Sequence, residues 1–167
     1  MSGPLASASV ERVRAALVAA SAPDTIVALD HTARTAEDAA KAVDCPLGAI
    51  VKTLAFMVDD RLVLALVAGD RRCDALALGR AFGSASAAAR ADADRVRAAT
   101  GFAIGGVAPI GHPQSLPVAV DPSLARFATL YAAAGHAHCV FVTAYDSLLA
   151  MTGGTPVPGL GIEARPG

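Results

Sequence analysis

Two apolar runs separated by three polar residues constrain this fold more than any other feature of the sequence. Ile50–Val58 and Leu62–Val67 flank Asp59-Asp60-Arg61, a spacing typical of a β-hairpin. Both runs are apolar at most positions, which is typical of central strands rather than of strands with one solvated face. The hairpin therefore predicts a sheet in the middle of the fold.

Amphipathic segments and shorter apolar runs alternate around this hairpin, which predicts an α/β (α+β) fold with a mixed sheet. Capping residues and helical spacing predict helices from a Ser9 cap to about Ala20, from a Thr35 cap to near Asp44, from Asp74 to Phe82, from an Asp92 cap to Thr100 with Gly101 as C′, and from Tyr145 to Met151. Further strands are predicted at 26–29, 117–120 and 139–143. Segment 124–134 is ambiguous between helix and strand, 83–91 is a connector or weak helix, and the tail after Gly153 is irregular.

Length and composition limit the classes of protein to consider. The 167 residues fit one domain spanning 1–167, with no internal repeat. The longest apolar stretches, about eight to ten residues, are too short to cross a bilayer, and no signal peptide is visible. The three cysteines are odd in number and form no C-x-x-C pair, which favours free thiols and a cytoplasmic location. We therefore expect no membrane partner.

The charge balance restricts how the chain could bind a nucleic acid. The formal net charge is −1, whereas proteins that grip long stretches of backbone carry a clear positive excess. DNA is therefore not an expected partner, and a nucleic acid substrate would be touched only at a short end.

One lysine lies inside the first strand of the predicted hairpin. All but two of the 14 Lys and Arg residues are arginine, and one of the two lysines, Lys52, follows Ile50 and Val51. A lysine in an apolar strand is costly unless its ammonium group finds a partner or reaches a cleft. It could point to solvent from an edge strand, or it could be aimed at a phosphate or a polarised carbonyl.

A loop rich in glycine and proline is the second candidate for chemistry. It contains Gly105, Gly106, Pro109, Gly111 and Pro113. Glycines let backbone N–H groups approach a ligand, and such amides can stabilise an oxyanion. The alternative is a tight connection between a helix and a strand. The loop does not match a dinucleotide-binding or P-loop fingerprint.

The histidines give weaker signals. His136, His138 and Cys139 could suggest zinc, but on a strand Cys139 points away from the other two, so a metal site is not expected. His138 is interpreted as a substrate-contacting or structural residue, His112 as a residue that fixes the loop, and His31 as a surface residue. No nucleophile elbow or pair of spaced carboxylates is present.

Together, Lys52 in its apolar strand and the G-G-x-x-P-x-G loop about fifty residues later resemble the YbaK/EbsC family and the editing insertion of bacterial prolyl-tRNA synthetases. The similarity extends from about Thr25 to Gly154. It includes the segments 50–54, 100–112 and 132–135, the following strand with His138, and the segments 147–149 and 152–153. The resemblance implies a mixed, barrel-like sheet surrounded by helices.

The resemblance also implies a function: hydrolysis of the ester bond of a mischarged aminoacyl-tRNA, without metal, cofactor or covalent intermediate. The residues that it assigns to catalysis are Lys52, Gly105, Gly106, Val107, Ala108 and Pro109. The residues that it assigns to substrate binding are Thr53, Ile110, Gly111, His112 and His138, of which His138 would limit the size of the amino-acid side chain.

The resemblance implies two partners. One is the 3′-terminal adenosine of a mischarged tRNA, expected to be tRNA-Pro carrying Ala, Cys or Ser, and the other is an aminoacyl-tRNA synthetase. Gly135 is followed by His136-Ala137-His138-Cys139 rather than by the G-K-R-G-L of the branch that acts on cysteinyl-tRNA, so cysteine is not favoured over alanine or serine. The alternative is a non-catalytic module of the same fold that binds a nucleotide or a synthetase.

Overall fold

The computed structural model describes residues 3–30 and 32–164, and it contains ten strands and five α-helices within them. The strands are β1 (Val27–Ala28), β2 (Ile50–Val58), β3 (Arg61–Ala68), β4 (Arg71–Cys73), β5 (Ala89–Arg90), β6 (Val118–Val120), β7 (Leu130–His136), β8 (Cys139–Thr143), β9 (Thr155–Pro156) and β10 (Gly161–Glu163). The helices are α1 (Ala8–Ala19), α2 (Ala36–Val43), α3 (Ala75–Ala81), α4 (Ala93–Thr100) and α5 (Tyr145–Thr152).

The predicted hairpin is present and forms the centre of the sheet. β2 and β3 pair in antiparallel register from Val51 opposite Ala68 to Val58 opposite Arg61. The two-residue turn places Asp59 at φ 53°, a left-handed conformation that Asp tolerates better than most residues. The order of the main sheet is β1-β8-β7-β2-β3-β6-β9, and β5 also pairs with β2.

Helices cover the sheet on both faces. Val51 and Ala55 of β2 belong to a large core that also contains Val13 of α1, Val96 of α4 and Leu148 of α5. On the opposite face, Phe56 packs in a second core with Leu78 of α3. The predicted mixed sheet surrounded by helices is confirmed. No helix among the described residues is long and apolar enough to span a membrane.

Most of the predicted helix boundaries are confirmed, because each depends on a local cap. The side chains of Thr35, Asp74 and Asp92 accept hydrogen bonds from the first turns of α2, α3 and α4. Gly101 ends α4 at φ 78°. The Ser9 cap was wrong, since Ser7 accepts the hydrogen bond from Val10 N–H and α1 begins at Ala8.

The ambiguous segment 124–134 and the connectors resolve into short elements. A 3-10 helix covers Pro122–Arg126, and the chain then enters β7. The connector before α4 contains β5, and the tail contains β9 and β10. The strands β5 and β9 have two residues each and β10 has three, so no periodicity could reveal them.

A buried carboxyl group ties three strands together. Asp121 is 1 % exposed and accepts hydrogen bonds from the N–H groups of Ala68 (3.1 Å) and Ser123 (2.9 Å). A Cβ atom at Gly161 would lie 2.0 Å from Asp121 Oδ2, so β10 can approach this carboxyl only with glycine there. Asp121 therefore anchors the ends of β3 and β6 and sets how closely β10 packs.

We expect Asp121→Ala to lower the free energy of unfolding by about 3 kcal/mol, because two buried N–H groups would lose their acceptor. Urea denaturation measures this change. Asp60→Ala, which removes an exposed carboxyl from the β2–β3 turn, is the matched control and should change stability by less than about 0.5 kcal/mol. Equal losses in the two variants would contradict the anchoring role.

Candidate active site

The candidate site occupies an interruption in the strand pairing of β2. One edge of β2 pairs with β3 along its length, but the other edge is shared between two strands. β7 pairs with Ile50 and Val51, and β5 pairs with Phe56 and Met57. No strand of the described structure pairs with the β2 residues between these two ladders on this edge, and a cavity of about 280 Å³ opens there.

The cavity lining combines elements that are distant in sequence. They are the segment that leads into α2, the first half of β2, Arg90 of β5, Val96 of α4, the glycine-rich loop, and the β7–β8 hairpin. The lining residues are Ala33, Arg34, Thr35, Ala36, Ala39, Ile50, Val51, Lys52, Thr53, Leu54, Ala55, Arg90, Val96, Ile104, Gly105, Gly106, Val107, Tyr131, Ala132, Ala133, His136, Ala137, Cys139 and Val140.

Lys52 lines this cavity from β2. Its side chain is half-buried, and Nζ donates a hydrogen bond to the carbonyl of Arg71. Burial lowers the pKa of the Lys52 ammonium group, although the negative charges of Glu37 and Asp70 oppose this shift. The interpretation of Lys52 as a solvent-facing edge residue is therefore not supported by its position.

Thr53 reaches the same cavity from the opposite face of β2, because successive side chains of a strand alternate. Its Oγ1 atom is buried and has no hydrogen-bond partner among the described residues. A buried hydroxyl without a partner costs free energy. Lys52 and Thr53 thus supply an ammonium and a hydroxyl group from two sides of one strand.

The glycine-rich loop divides between two cavities. Gly105, Gly106 and Val107 line the first cavity, whereas Ala108 is fully buried. The N–H of Gly106 already donates to the Ala103 carbonyl (2.9 Å), so this amide is not available to a ligand. Gly105, at φ +87°, adopts a conformation that favours glycine.

The second half of the loop lies against α1 instead. Pro109, Ile110, Gly111 and His112 line a separate cavity of about 390 Å³, together with the last turn of α1. His112 Nε2 donates to the Ala108 carbonyl at 2.8 Å, and burial lowers the pKa of its imidazole. This geometry agrees with the interpretation of His112 as the residue that fixes the loop, and places it away from the first cavity.

The two histidines of the β7–β8 hairpin have different positions. His136 lines the cavity, but His138 is not among the lining residues. The backbone N–H of His138 donates to Nδ1 of the His136 ring (3.0 Å), and the ring Nε2 of His138 lies 2.7 Å from Thr32 Oγ1. A neutral His136 therefore carries its proton on Nε2. His31 lies outside the described residues.

Charge in the lining has one sign. Arg34, Lys52 and Arg90 line the cavity, and no Asp or Glu of the described residues does. The sequence interpretation missed Arg34 and Arg90, because Arg90 lies on a two-residue strand and Arg34 precedes a helix cap. Within residues 3–30 and 32–164, no group of three or more His, Cys, Asp or Glu side chains is placed to hold a metal ion.

The thiol in the lining is a poor nucleophile. Cys139 is buried, and burial raises the pKa of its thiol. Cys73, close to Lys52, has a pKa raised to about 12, chiefly by burial. Both thiols are therefore protonated at neutral pH, which disfavours a covalent intermediate at either sulfur.

Residues 30–151 match the model of the aminoacyl-tRNA editing domain family. The chain belongs to this family. The resemblance inferred from Lys52 and the glycine-rich loop is thereby confirmed.

Individual relatives agree with this assignment. The chain is 30 % identical over 128 residues to the uncharacterized protein YwhH of Bacillus subtilis, covering 76 % of this chain and 80 % of that protein. It is 32 % identical over 101 residues to a proline–tRNA ligase of Leuconostoc mesenteroides, but these cover 60 % of this chain and only 18 % of the ligase. A crystal structure of a proposed trans-editing enzyme for prolyl-tRNA synthetase superposes with a TM-score of 0.85 at 37 % identity, covering 91 % and 96 % of the two chains.

We expect the Lys52 ammonium group to titrate below the ordinary lysine pKa of about 10.4, because burial disfavours its charged form. Reductive methylation with ¹³C-formaldehyde followed by NMR titration measures this directly. The chain has two lysines, so Lys41→Arg assigns the Lys52 signal. A midpoint at or above the ordinary value would place Lys52 in solvent.

Proposed function

We propose that this chain is a trans-acting deacylase that hydrolyses the ester bond of mischarged tRNA. The substrate that we propose is tRNA-Pro carrying a small wrong amino acid such as Ala, Cys or Ser. The observation that carries the proposal is the cavity at the interrupted edge of β2, which is lined by both Lys52 and the first half of the glycine-rich loop in a member of an editing family. The whole chain, residues 1–167, would act as one editing domain.

The charge of the cavity favours a phosphate-bearing ligand. Arg34, Lys52 and Arg90 supply cations around the cavity, although the whole chain has a net charge of −1. This local field would attract the 3′-terminal adenosine and its phosphate, with little affinity for the rest of the tRNA. Single-stranded ends are the parts of RNA that small protein sites recognise. A synthetase would supply the remaining affinity.

Hydrolysis in this cavity would depend on positioning and on backbone electrostatics. Water would add to the ester carbonyl carbon, the C–O bond would break, and the ribose 3′-oxygen would leave with a proton. The N–H groups of Gly105 and Val107 could hold the oxyanion, since neither donates to a backbone carbonyl in the described part of the chain, whereas Gly106 N–H is occupied and Ala108 is buried. Lys52 would bind the terminal phosphate or orient the carbonyl.

The lining offers no strong general base. The Nδ1 atom of His136 accepts a hydrogen bond from His138 N–H, so the neutral ring has its remaining nitrogen protonated. Lys52 is a cation, and Cys139 is a protonated thiol. The ribose 2′-hydroxyl of the substrate would therefore help to activate the water.

A panel of mischarged tRNAs tests the proposal. Purified protein is incubated with tRNA-Pro carrying alanine, serine, cysteine, threonine or proline, with and without prolyl-tRNA synthetase. We expect release of one or more small amino acids and retention of proline. Binding without hydrolysis of any ester would instead support a non-catalytic nucleotide- or synthetase-binding module.

We expect Lys52→Ala to reduce the deacylation rate roughly 30- to 1,000-fold, because a charge-assisted contact in the transition state is worth about 2–4 kcal/mol. Single-turnover kinetics measure the rate, and thermal unfolding checks the fold. Lys41→Ala removes the other, exposed lysine and should leave the rate unchanged. A wild-type rate in Lys52→Ala would remove this residue from the mechanism.

We expect the β7–β8 histidines to control which amino acid is removed, with His136→Ala changing the ranking of esters more than His138→Ala. His136 lines the cavity, whereas the ring of His138 contacts Thr32 through Nε2, and its backbone N–H, which alanine keeps, is the donor to His136. Extra space for one or two methylene groups changes discrimination by about 1–3 kcal/mol. The same panel measures both variants. An unchanged ranking in both would exclude the hairpin from specificity.

A further inference from the structure

Within residues 3–30 and 32–164, the second edge of β2 lacks a backbone partner at one residue, Thr53. Peptide groups in a strand point alternately to the two neighbouring strands. The carbonyl of Ile50 accepts from Gly69 N–H after the end of β3, so even-numbered residues of β2 direct their peptide groups toward β3. The odd-numbered residues direct theirs toward the other edge.

Three of the four odd-numbered residues of β2 have a backbone partner on that edge. Val51 lies in the ladder with β7, and Met57 lies in the ladder with β5. The Ala55 carbonyl accepts from Ala91 N–H at 3.1 Å. Thr53 is the remaining position, and neither β7 nor β5 pairs with it in the described structure.

Thr53 therefore presents three polar groups to the cavity. Its N–H is a donor, its C=O is an acceptor, and its buried Oγ1 lacks a partner among the described residues. Unpaired polar groups at this depth would be stabilised by a ligand that carries the complementary set. A ligand with one donor and one carbonyl acceptor, spaced like the N–H and C=O of a single β-strand residue, would pair with the backbone of Thr53.

We propose that the aminoacyl group of the substrate binds as the missing strand residue opposite Thr53. This proposal rests on the proposed function and specifies how the same site holds its substrate. The α-amino group donates to the Thr53 carbonyl and hydroxyl, and the ester carbonyl accepts from Thr53 N–H. An aminoacyl ester has one amine and one carbonyl on adjacent atoms, like a residue that adds to a sheet edge.

This arrangement supplies an oxyanion donor and a preference for the L configuration. Thr53 N–H would act beside the N–H groups of Gly105 and Val107, because the N–H of Gly106 already donates to the Ala103 carbonyl. A strand residue directs its side chain to one face of the sheet, and inversion of its configuration directs it to the other. The Thr53 face is apolar, with Val96 and Val107, whereas Lys52 lies on the other face.

Matched esters on the same tRNA-Pro test the proposal. They are L-alanyl, D-alanyl and propanoyl esters; the first two differ only in configuration, and propanoyl lacks only the amine. Each rate is divided by the spontaneous hydrolysis rate of the same ester. We expect L-alanyl to be accelerated at least about tenfold more than either analogue. The propanoyl ester lacks the two hydrogen bonds of the amine, and the D-alanyl ester would direct its methyl group to the wrong face of the sheet.

Two variants separate binding by Thr53 from a structural role. Thr53→Val keeps the shape but removes the hydroxyl, and we expect it to reduce the preference for L-alanyl over propanoyl about tenfold. Thr53→Ser keeps the hydroxyl and should preserve that preference. A merely structural role would reduce both rates by one factor and leave the ratio unchanged.

The outcomes distinguish this proposal from the proposed function. Hydrolysis of L-alanyl-tRNA with equal acceleration of D-alanyl or propanoyl esters would overturn the strand-like binding mode alone. A constant L-alanyl to propanoyl ratio in Thr53→Val would also overturn it. If the wild-type protein hydrolyses no ester, both the deacylase function and this binding mode fail.

Discussion

β2 hydrogen-bonds to β3 along one edge and divides its other edge between β7 and β5, and the remaining structure depends on this division. The pairing with β3 is continuous and supplies the buried centre of the sheet. The divided edge, by contrast, leaves room for a cavity at the level of Thr53. If β2 were paired along both edges, it would gain hydrogen bonds but leave no room for the cavity of the candidate site.

The electrostatics of the cavity follow from the same position. Lys52 is half-buried because it lies in the central strand β2, and burial lowers the pKa of its ammonium group. The free-energy cost of burying this ammonium group is partly offset by its hydrogen bond to the Arg71 carbonyl. Arg34 and Arg90 extend the positive field at the lining. A nearly neutral protein can thus concentrate attraction for an anionic ligand at one place.

The two halves of the glycine-rich loop have different structural roles. Its first half bounds the candidate site, while its second half packs near α1 and is held by the bond between His112 and the Ala108 carbonyl. Gly111 at φ +88° lies 3.3 Å from the Arg12 carbonyl, measured from the position of a Cβ atom. The loop is therefore fixed against α1 at one end and borders the candidate site at the other.

Local signals were sufficient for much of the fold. The β2–β3 hairpin, the caps of α2, α3 and α4, and the Lys52 and glycine-loop motifs all depend on residues close together in the chain, so the sequence determined them. Six strands, β1, β4, β5, β6, β9 and β10, have two or three residues each, which is too short to show a hydrophobic period. Of these six, only β1 and β6 were predicted.

The site depended on contacts between distant segments, and only the tertiary structure decided it. Sequence reasoning grouped Gly105 to Pro109 as one catalytic loop, but packing against α1 divides that loop between two cavities. It favoured His138, whereas the β7–β8 turn directs His136 to the cavity. Arg34, Arg90 and the unpaired edge at Thr53 had no local signal, because strand neighbours are chosen by long-range pairing rather than by the residues themselves.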